Sequence, residues 1–536
     1  MKIMLMLKRI FYVNGAASLP IGICLVVFFL NLLNGMATTN LASYLPQLIK
    51  TFNVTEVNVG KYAGVVSSSL SIIRIGSSLL WGYVCDKFGR KVALLFCGSG
   101  YTVATLLFGF TINYVWTVVT RSFQGLFMGF LVITKSLIAD ISDDSNLSIG
   151  LNFIFSGNNI GFIIGPSIAG FLVFPVEKYP KVFAKDGFFD VFKILLPNLI
   201  ISIGLIVVLL VAFVVLPRQK VSVDESEKIK LLQSDNNDDV QKNGEISLVK
   251  ENISKLKTNT KFDSKDETES ELKYGTVSKF REESRYKKLL RNKNFILSIS
   301  LYGMSTMTTG GFDDLFPVFA ATDVKYNGLS MKTSDIGTLY FATGLTVVVI
   351  QFTVITKIVA RFGAKKVFSV ATVLFSIQIF LLPTTNKIKN RTFLWVALWL
   401  TQCLMRTTYN AGVMCVNIFI NNSVDSEQLG VANGLALSVS SIGRSLSSIS
   451  VGLAYSWSLN NVKKRSSKES SLGFPFNEYF AFIILSFLSI LITVVASFLP
   501  ESINKKKIPE CITKIKIPES IYKEKIPEEI EEKSTL

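Results

Sequence analysis

The chain has 536 residues, of which 49% are hydrophobic, and its mean hydropathy is +0.43. This composition is too apolar for an ordinary soluble protein and indicates a chain that crosses the membrane several times. Its formal net charge is +17. The chain contains no histidine, which excludes His-based acid–base catalysis, catalytic triads and imidazole metal sites.

The 56 Lys and Arg residues concentrate in the middle segment, the short loops and the tail. That placement suits the lipid bilayer with its anionic surface better than nucleic acid, so we expect no nucleic-acid partner. The six cysteines show no C-x-x-C spacing and most lie in apolar runs, as packed free thiols do. With no P-loop and no metal cluster, the sequence predicts no enzyme, no cofactor and no bound metal, and it identifies no protein partner.

Apolar runs long enough to cross a hydrocarbon layer of about 30 Å recur along the chain. The first follows the cations Lys2, Lys8 and Arg9 and is too long for a signal-peptide core, so we expect it to be retained. The predicted spans are 20–46, 61–84, 92–112, 115–138, 150–174, 195–216, 294–320, 335–358, 366–383, 392–418, 431–456 and 478–499.

These runs divide the chain into five parts. Residues 1–19 form an N-terminal segment, 20–216 a first six-helix half and 294–499 a second one. Residues 217–293 are rich in Lys, Asp, Glu, Ser and Asn and predict a disordered cytoplasmic linker. Residues 500–536 repeat Lys-Ile-Pro-Glu and predict a low-complexity tail. The fold class is therefore an all-α membrane protein with twelve transmembrane helices in two halves.

A short polar turn follows the second span and contains Gly82, Asp86, Gly89, Arg90 and Lys91. Gly82 and Asp86 are four residues apart and share a helix face. A carboxylate is unfavourable at a helix C-terminus, so Asp86 needs a donor, either Arg90 or the N-terminus of a neighbouring helix. The spacing G-x-x-x-D-x-x-G-R-K resembles the loop between helices 2 and 3 of the major facilitator superfamily, in which it would act as a gating latch. The positive-inside rule alone would explain the cations but neither the glycines nor Asp86.

The two halves resemble each other. Residues 359–366 occupy the place after span 8 that residues 84–91 occupy after span 2, with Ala360 in place of Asp86. Residues 144–150 before span 5 likewise match 425–430 before span 11. An internal duplication explains both pairs.

An even number of spans places both termini on one side of the membrane. The loops after spans 2 and 8 hold seven Lys or Arg residues, which predicts that this side is cytoplasmic. Residues 463–468 carry four more cations on the opposite side, so the predicted orientation rests partly on the family resemblance.

Span 4 contains Arg121 and Gln124 in an R-x-x-Q-G pattern that resembles a second motif of the same superfamily. Charge is unfavourable in lipid, so Arg121 must face a cavity or a partner. Because arginine keeps its proton, it could bias a neighbouring carboxylate or bind an anion. Alternatively, it anchors helices through hydrogen bonds.

Span 5 contains Gly157, Gly161, Gly165, Pro166 and Gly170. The first three glycines recur at four-residue steps and predict a groove that another helix approaches closely, while the proline bends the helix. The pattern resembles the antiporter motif of the drug–proton antiporter branch. Plain helix packing would explain the glycines but not the proline.

Span 7 contains two adjacent acids, Asp313 and Asp314. Adjacent side chains on a helix point in different directions, so one acid can face a cavity and the other a partner. Burial favours the protonated form of the cavity-facing acid, as a proton carrier requires; Asp314 is the first candidate. Alternatively, the helix begins later and water reaches both acids. Available counter-charges are Arg74, Arg406 and Arg444.

Several stretches look like the zinc-induced-facilitator-like group of plants and fungi: 165–172, 175–180, 325–330 and 428–434. The similarity covers roughly residues 20–500. It implies proton- or potassium-coupled movement of small organic ions, metal chelators or metal-related solutes across vacuolar, lysosome-like or plasma membranes. Plant members often carry loop histidines and N-terminal cysteine motifs. Both are absent from this sequence, so direct zinc handling is not expected.

The sequence therefore predicts a proton-coupled antiporter that moves a small-molecule substrate by alternating access. Its coupling and substrate residues would be Arg121, Gln124, Asp313, Asp314 and Arg406. Two alternatives stay open: a nutrient facilitator or symporter of the same fold, and a membrane receptor or scaffold that transports nothing.

Overall fold

The computed structural model describes residues 19–142, 146–217, 289–350, 354–424, 428–466 and 471–504. The predicted N-terminal segment, linker and tail lie almost entirely outside these ranges. The pairs Asp144–Ser145 and Asp425–Ser426, used above to match the two halves, also lie outside them.

The described residues form twelve long helices and contain no strand. The first half consists of α1 (Ile21–Thr39), α2 (Val59–Phe88), α3 (Arg90–Gly109), α4 (Tyr114–Leu126 and Phe130–Ile141), α5 (Leu147–Leu172) and α6 (Leu195–Val215). The second consists of α7 (Lys293–Ala321), α8 (Thr333–Ile350 and Thr356–Phe362), α9 (Ala364–Leu381), α10 (Arg391–Ser423), α11 (Leu429–Ser466) and α12 (Phe480–Ser497).

The helices follow the predicted spans, with differences at several ends. By length and composition, eight of the described helices could cross a membrane. Helices α5, α7, α10 and α11 do not meet this criterion. The chain after α1 forms a short 3₁₀ turn, Asn40–Ser43, and another helix, Leu45–Thr51, where we predicted a single span to residue 46. Helices α10 and α11 extend beyond their apolar runs at both ends.

Helix α4 is broken, although its sequence predicts one continuous span. The break lies at residues 127–129, where a β-carbon on Gly129 would overlap the ring of Trp81. The indole nitrogen of Trp81 donates a hydrogen bond to the carbonyl oxygen of Leu126 at 2.7 Å. A side chain from α2 thus stabilises the backbone where the helical ladder stops, as an interrupted helix in a membrane requires.

The turns after α2 and α8 have the same geometry. Gly89 has φ 84° and ψ 155°, and Gly363 has φ 81° and ψ 150°, a region open essentially to glycine alone. Two residues later, Lys91 donates to the carbonyl oxygen of Leu216 at 2.6 Å, and Lys365 donates to that of Leu499 at 2.5 Å. Each lysine contacts the C-terminal end of the last helix of its half, which a cation stabilises. This repeated contact supports the internal duplication.

Replacing Lys365 with methionine should lower the stability of the second half by about 1 kcal/mol, because the exposed carbonyls of α12 lose a charged donor. Lys365 also pairs with Glu501 at 3.2 Å. The matched control is Lys366→Met at the adjacent, exposed lysine. Thermal unfolding of both variants in detergent should show a lower midpoint for Lys365→Met alone; equal midpoints would contradict the capping role.

The two halves share an apolar core at one end of the bundle only. A buried cluster there joins Tyr44 and Phe108 of the first half to Phe316 and Tyr455 of the second. Two other buried clusters each lie within a single half. We call the shared end, which holds Gly60, Gly170, Gly337 and Gly452, the closed end, and the opposite end, which holds Gly89 and Gly363, the turn end.

Candidate functional site

Seven charged side chains lie in the middle turns of the described helices. They are Arg74 on α2, Arg121 and Lys135 on α4, Asp313 and Asp314 on α7, Arg406 on α10 and Arg444 on α11. Charges at this depth are unfavourable unless they are paired or hydrated, so their partners define the candidate site.

Asp313 forms ion pairs with two arginines. Its carboxylate lies 2.6 Å from Arg406 and 3.5 Å from Arg444. The guanidinium of Arg406 also lies 5.6 Å from the ring centroid of Tyr340. Asp313 therefore ties α7 to α10 and α11 within the second half.

Asp314 faces the boundary between the halves. The hydroxyl of Ser448 on α11 donates to its carboxylate at 2.5 Å, and Ser67 on α2 approaches the same carboxylate. A small cavity beside it is lined by residues of α2, α7 and α11, among them Gly64 and Tyr455. Both acids lie well inside α7, which begins at residue 293, so the alternative in which this helix starts after them is wrong.

Arg121 is buried in a hydrogen-bond network within the first half. It donates to the carbonyl oxygens of Ala37 at 3.2 Å and Thr38 at 2.7 Å, and to the side chain of Gln124 at 2.7 Å. Gln124 in turn donates to Thr105 at 3.1 Å. In this conformation the network holds α4 against the end of α1 and matches the anchoring alternative for Arg121.

The glycines of α5 pack against α1. A β-carbon on Gly157, Gly161 or Gly165 would overlap the backbone of α1, at the carbonyl oxygens of Phe28, Leu32 and Met36 respectively. The three glycines of α5 and the three carbonyl groups of α1 each recur every four residues, so the groove on α5 follows the ridge of α1. The predicted close approach is present, and its partner is α1.

Gly170 makes a different contact, across the closed end. A β-carbon there would lie 2.7 Å from the Cα of Gly337 and 2.7 Å from the carbonyl oxygen of Thr333, both on α8 of the second half. Pro166, one turn earlier, is buried inside the same helix. Just after α5, Lys178 donates to the carbonyl oxygen of Gly170 at 2.5 Å, and burial lowers the pKa of Lys178 to about 8. The end of α5 thus forms part of the seal between the halves.

Helices α2 and α11 touch at the closed end and separate toward the turn end. A β-carbon on Gly64 would overlap the carbonyl oxygen of Ser448, and Gly452 packs equally tightly against α2. Gly82 lies eighteen residues after Gly64, and Gly434 eighteen before Gly452; this is five helical turns, so each pair shares a helix face. A β-carbon on Gly82 or Gly434 would meet no atom of the described residues within 4 Å. As far as the structure describes the chain, the bundle is therefore open at its turn end.

A polar bridge reinforces the closed end. Lys50 and Glu56 of the first half form an ion pair at 2.9 Å. Lys50 donates to the carbonyl oxygen of Ala321 at 2.9 Å, while Glu56 accepts from the backbone N–H of Asp323 at 3.1 Å. Lys61 adds a backbone bond to the hydroxyl of Ser456 at 2.7 Å.

The polar turn is only partly described. The side chain of Asp86 lies outside the described residues, so its predicted latch stays a prediction. Arg90 forms an ion pair with Asp140 on α4 at 2.7 Å, and Lys91 contacts the end of α6. These contacts hold the turn against the first half.

The predicted coupling residues separate into three groups. Asp313 and Arg406 meet directly, Asp314 faces the boundary between the halves, and Arg121 and Gln124 form their own network. The α5 glycines lie at helix contacts, and the polar turn lies against the first half. Sequence reasoning missed Lys135, although a lysine inside the apolar run 130–141 is a visible signal. It also missed Ser448 and the Lys50–Glu56 bridge, which no spacing indicates.

The sequence profile of the Major Facilitator Superfamily matches residues 27–448, so the chain belongs to this family of membrane transporters. The fold prediction is confirmed: the solved D-xylose-proton symporter superposes with a TM-score of 0.62 at 14% identity, covering 91% of this chain and all of that one. The protein is thus a multi-pass integral membrane transporter and not an enzyme.

Two curated relatives match most of the chain. Protein ZINC INDUCED FACILITATOR-LIKE 1 of Arabidopsis thaliana is 26% identical over 442 residues, covering 81% of this chain and 83% of that protein. The multidrug transporter mfsB of Aspergillus fumigatus is 24% identical over 497 residues, covering 83% and 80%. The resemblance to the zinc-induced-facilitator-like group is confirmed at this low identity.

Proposed function

We propose that this transporter exchanges a small organic ion, a drug-like solute or a metal chelator for protons by alternating access. The two halves would rock about a central cavity, closing one end as the other opens. The names of the relatives, a zinc-induced-facilitator-like protein and a multidrug transporter, support this range of substrates. We further propose a vacuolar, lysosome-like or plasma membrane location with cytoplasmic termini.

The environment of Asp314 carries the proposal. Asp313 accepts both arginine ion pairs, which tie it to α10 and α11 within the second half. Asp314 instead lies between α2 and α11, on the surface that must separate when the closed end opens. A carboxyl group at such a boundary changes its exposure to water with the conformation, which is the property that a coupled proton carrier needs.

Proteoliposomes with an internal pH-sensitive dye and an imposed proton gradient test this proposal. Organic cations, organic acids and zinc chelates are added outside. For the wild-type protein, one class should trigger proton movement. Asp314→Asn should abolish that movement while leaving solute binding intact, because asparagine has nearly the same size as aspartate but cannot release or take up a proton.

Asp313→Asn is the matched comparison. Loss of this charge removes the ion pairs that Asp313 forms with Arg406 and Arg444, so we expect mainly a lower unfolding midpoint. Solute uptake without proton movement in the wild-type protein would reject coupling and favour a facilitator. Failure of the whole panel, with no effect of Asp314→Asn on any flux, would favour a receptor or scaffold.

A further inference from the structure

The charged residues inside the bundle do not balance. Five are cationic and two acidic among the described middle turns. Arg121 is bound by backbone carbonyls, and Arg406 and Arg444 share Asp313. Within the described parts of the chain, Arg74 and Lys135 have no carboxylate partner.

Arg74 lies on the inner side of the bundle. Arg74 follows Gly60, Gly64 and Ser67 along α2 at intervals that keep it near the face packed on α11. Its charge acts on Tyr101 of the same half and on Tyr302 and Arg444 of the other half.

Lys135 reaches the same region from α4. Its ammonium lies 5.2 Å from the ring centroid of Phe155 on α5, and its charge interacts with that of Arg74. Arg74 on α2 is thus within electrostatic range of both Lys135 on α4 and Arg444 on α11. Tyr302 lies within range of Arg74, and Phe155 lies beside Lys135.

Arg74 and Lys135 carry like charges that repel each other in a membrane interior, and desolvation adds to the cost. A bound anion would offset both effects, since arginine and lysine hydrogen bonds to a carboxylate are among the strongest in proteins. Arg74, Lys135 and Arg444 are each partly exposed. Among the described residues the turn end around Gly82 and Gly434 is open, which would give a solute a path to them.

We propose that Arg74 and Lys135, together with Arg444, form the substrate-binding site and that the substrate is an organic anion carrying a carboxylate. This assignment rests on the proposed transport function and narrows its substrate class. A ligand that bridges α2 and α4 of one half to α11 of the other would contact both moving bodies, as a transported substrate must. Phe155 and Tyr302 suit an anion with an apolar body.

The test measures ligand binding to the purified full-length protein in detergent by calorimetry, without any proton gradient. The probes are benzoate, benzamide and benzamidinium, which share a ring and differ in charge, together with succinate and citrate. At least one carboxylate should bind at millimolar concentration or better, and benzamidinium should not. Arg74→Gln and Lys135→Gln should each weaken that binding roughly tenfold or more, the loss expected for a charged hydrogen bond.

Two further variants keep the test decisive if a glutamine variant folds poorly. Lys135→Arg keeps the charge and should retain binding within a few-fold. Lys61 is exposed and lies on α2 at the closed end. The Lys61→Gln variant should therefore bind the carboxylate as the wild type does. Preferential binding of benzamidinium, or no binding of any carboxylate, would overturn the proposal.

The failures of the two proposals are distinguishable. Carboxylate binding that depends on Arg74 and Lys135, without solute-driven proton movement, would reject proton coupling and keep this site. Proton movement driven by cations alone would reject this site and keep the coupling.

Discussion

Replacing Gly161 with valine should destabilise the first half by about 3 kcal/mol or more, and most of the protein should fail to fold. A β-carbon at this position would overlap the carbonyl oxygen of Leu32 and crowd the backbone nitrogen of Met36. Backbone atoms cannot rotate away as a side-chain tip can, so α1 and α5 would have to separate along their whole contact. The yield of monodisperse protein and its unfolding midpoint in detergent measure the effect.

Gly76→Val is the matched control for Gly161→Val. Gly76 also lies inside a long helix, but a β-carbon there would meet no atom of the described part of the chain within 4 Å. The control therefore carries the same change in helix propensity without the overlap, and we expect its folded yield to match the wild type. Similar losses in both variants would mean that propensity and not close packing decides the stability of α5.

The sequence was informative wherever a local pattern determines the structure. Apolar runs located the twelve long helices that the described residues form, because lipid leaves the backbone little alternative to a helix. The glycine steps at 157, 161 and 165 predicted a close helix contact, and the spacing around Gly89 and Gly363 predicted matching turns. In each case the signal and the structure lie within a few residues of each other.

Partners from distant parts of the chain could not be predicted. The sequence offered Arg74, Arg406 and Arg444 as counter-charges for two acids, and only the packing of α7 against α10 and α11 assigns Asp313 its two arginines. The break in α4 likewise depends on Trp81 from another helix. A sequence motif names the residue but not the tertiary neighbour that decides its role.

The glycine contacts within one half and those between the halves should behave differently on substitution. In the alternating-access mechanism proposed above, contacts between α1 and α5 would belong to a body that moves as a unit. Contacts of Gly64 and Gly452 across α2 and α11, and of Gly170 with α8, would exist only while the closed end is shut. A substitution in the second group removes one conformation without removing the fold.

Gly64→Val should therefore yield a folded protein that no longer transports. Its side chain would overlap the carbonyl oxygen of Ser448, so α2 and α11 could not meet at the closed end. The equilibrium would shift to the conformation that is open there, because only that state accommodates the added atoms. Solute uptake into proteoliposomes should fall to background while the unfolding midpoint stays close to the wild-type value.

A cysteine at Ser456 reports the shift directly. Ser456 is buried at the closed end, where its hydroxyl accepts a hydrogen bond from the backbone of Lys61 at 2.7 Å. A membrane-impermeant maleimide should label Ser456→Cys slowly in the otherwise unchanged protein and roughly tenfold faster with Gly64→Val, since a population shift of that size needs little more than 1 kcal/mol. The five described native cysteines are buried, which keeps their own labelling low. Two results for Gly64→Val would show that α2 and α11 do not separate during transport. One is uptake at the wild-type level with an unchanged labelling rate of Ser456→Cys. The other is a loss of folding as severe as that of Gly161→Val.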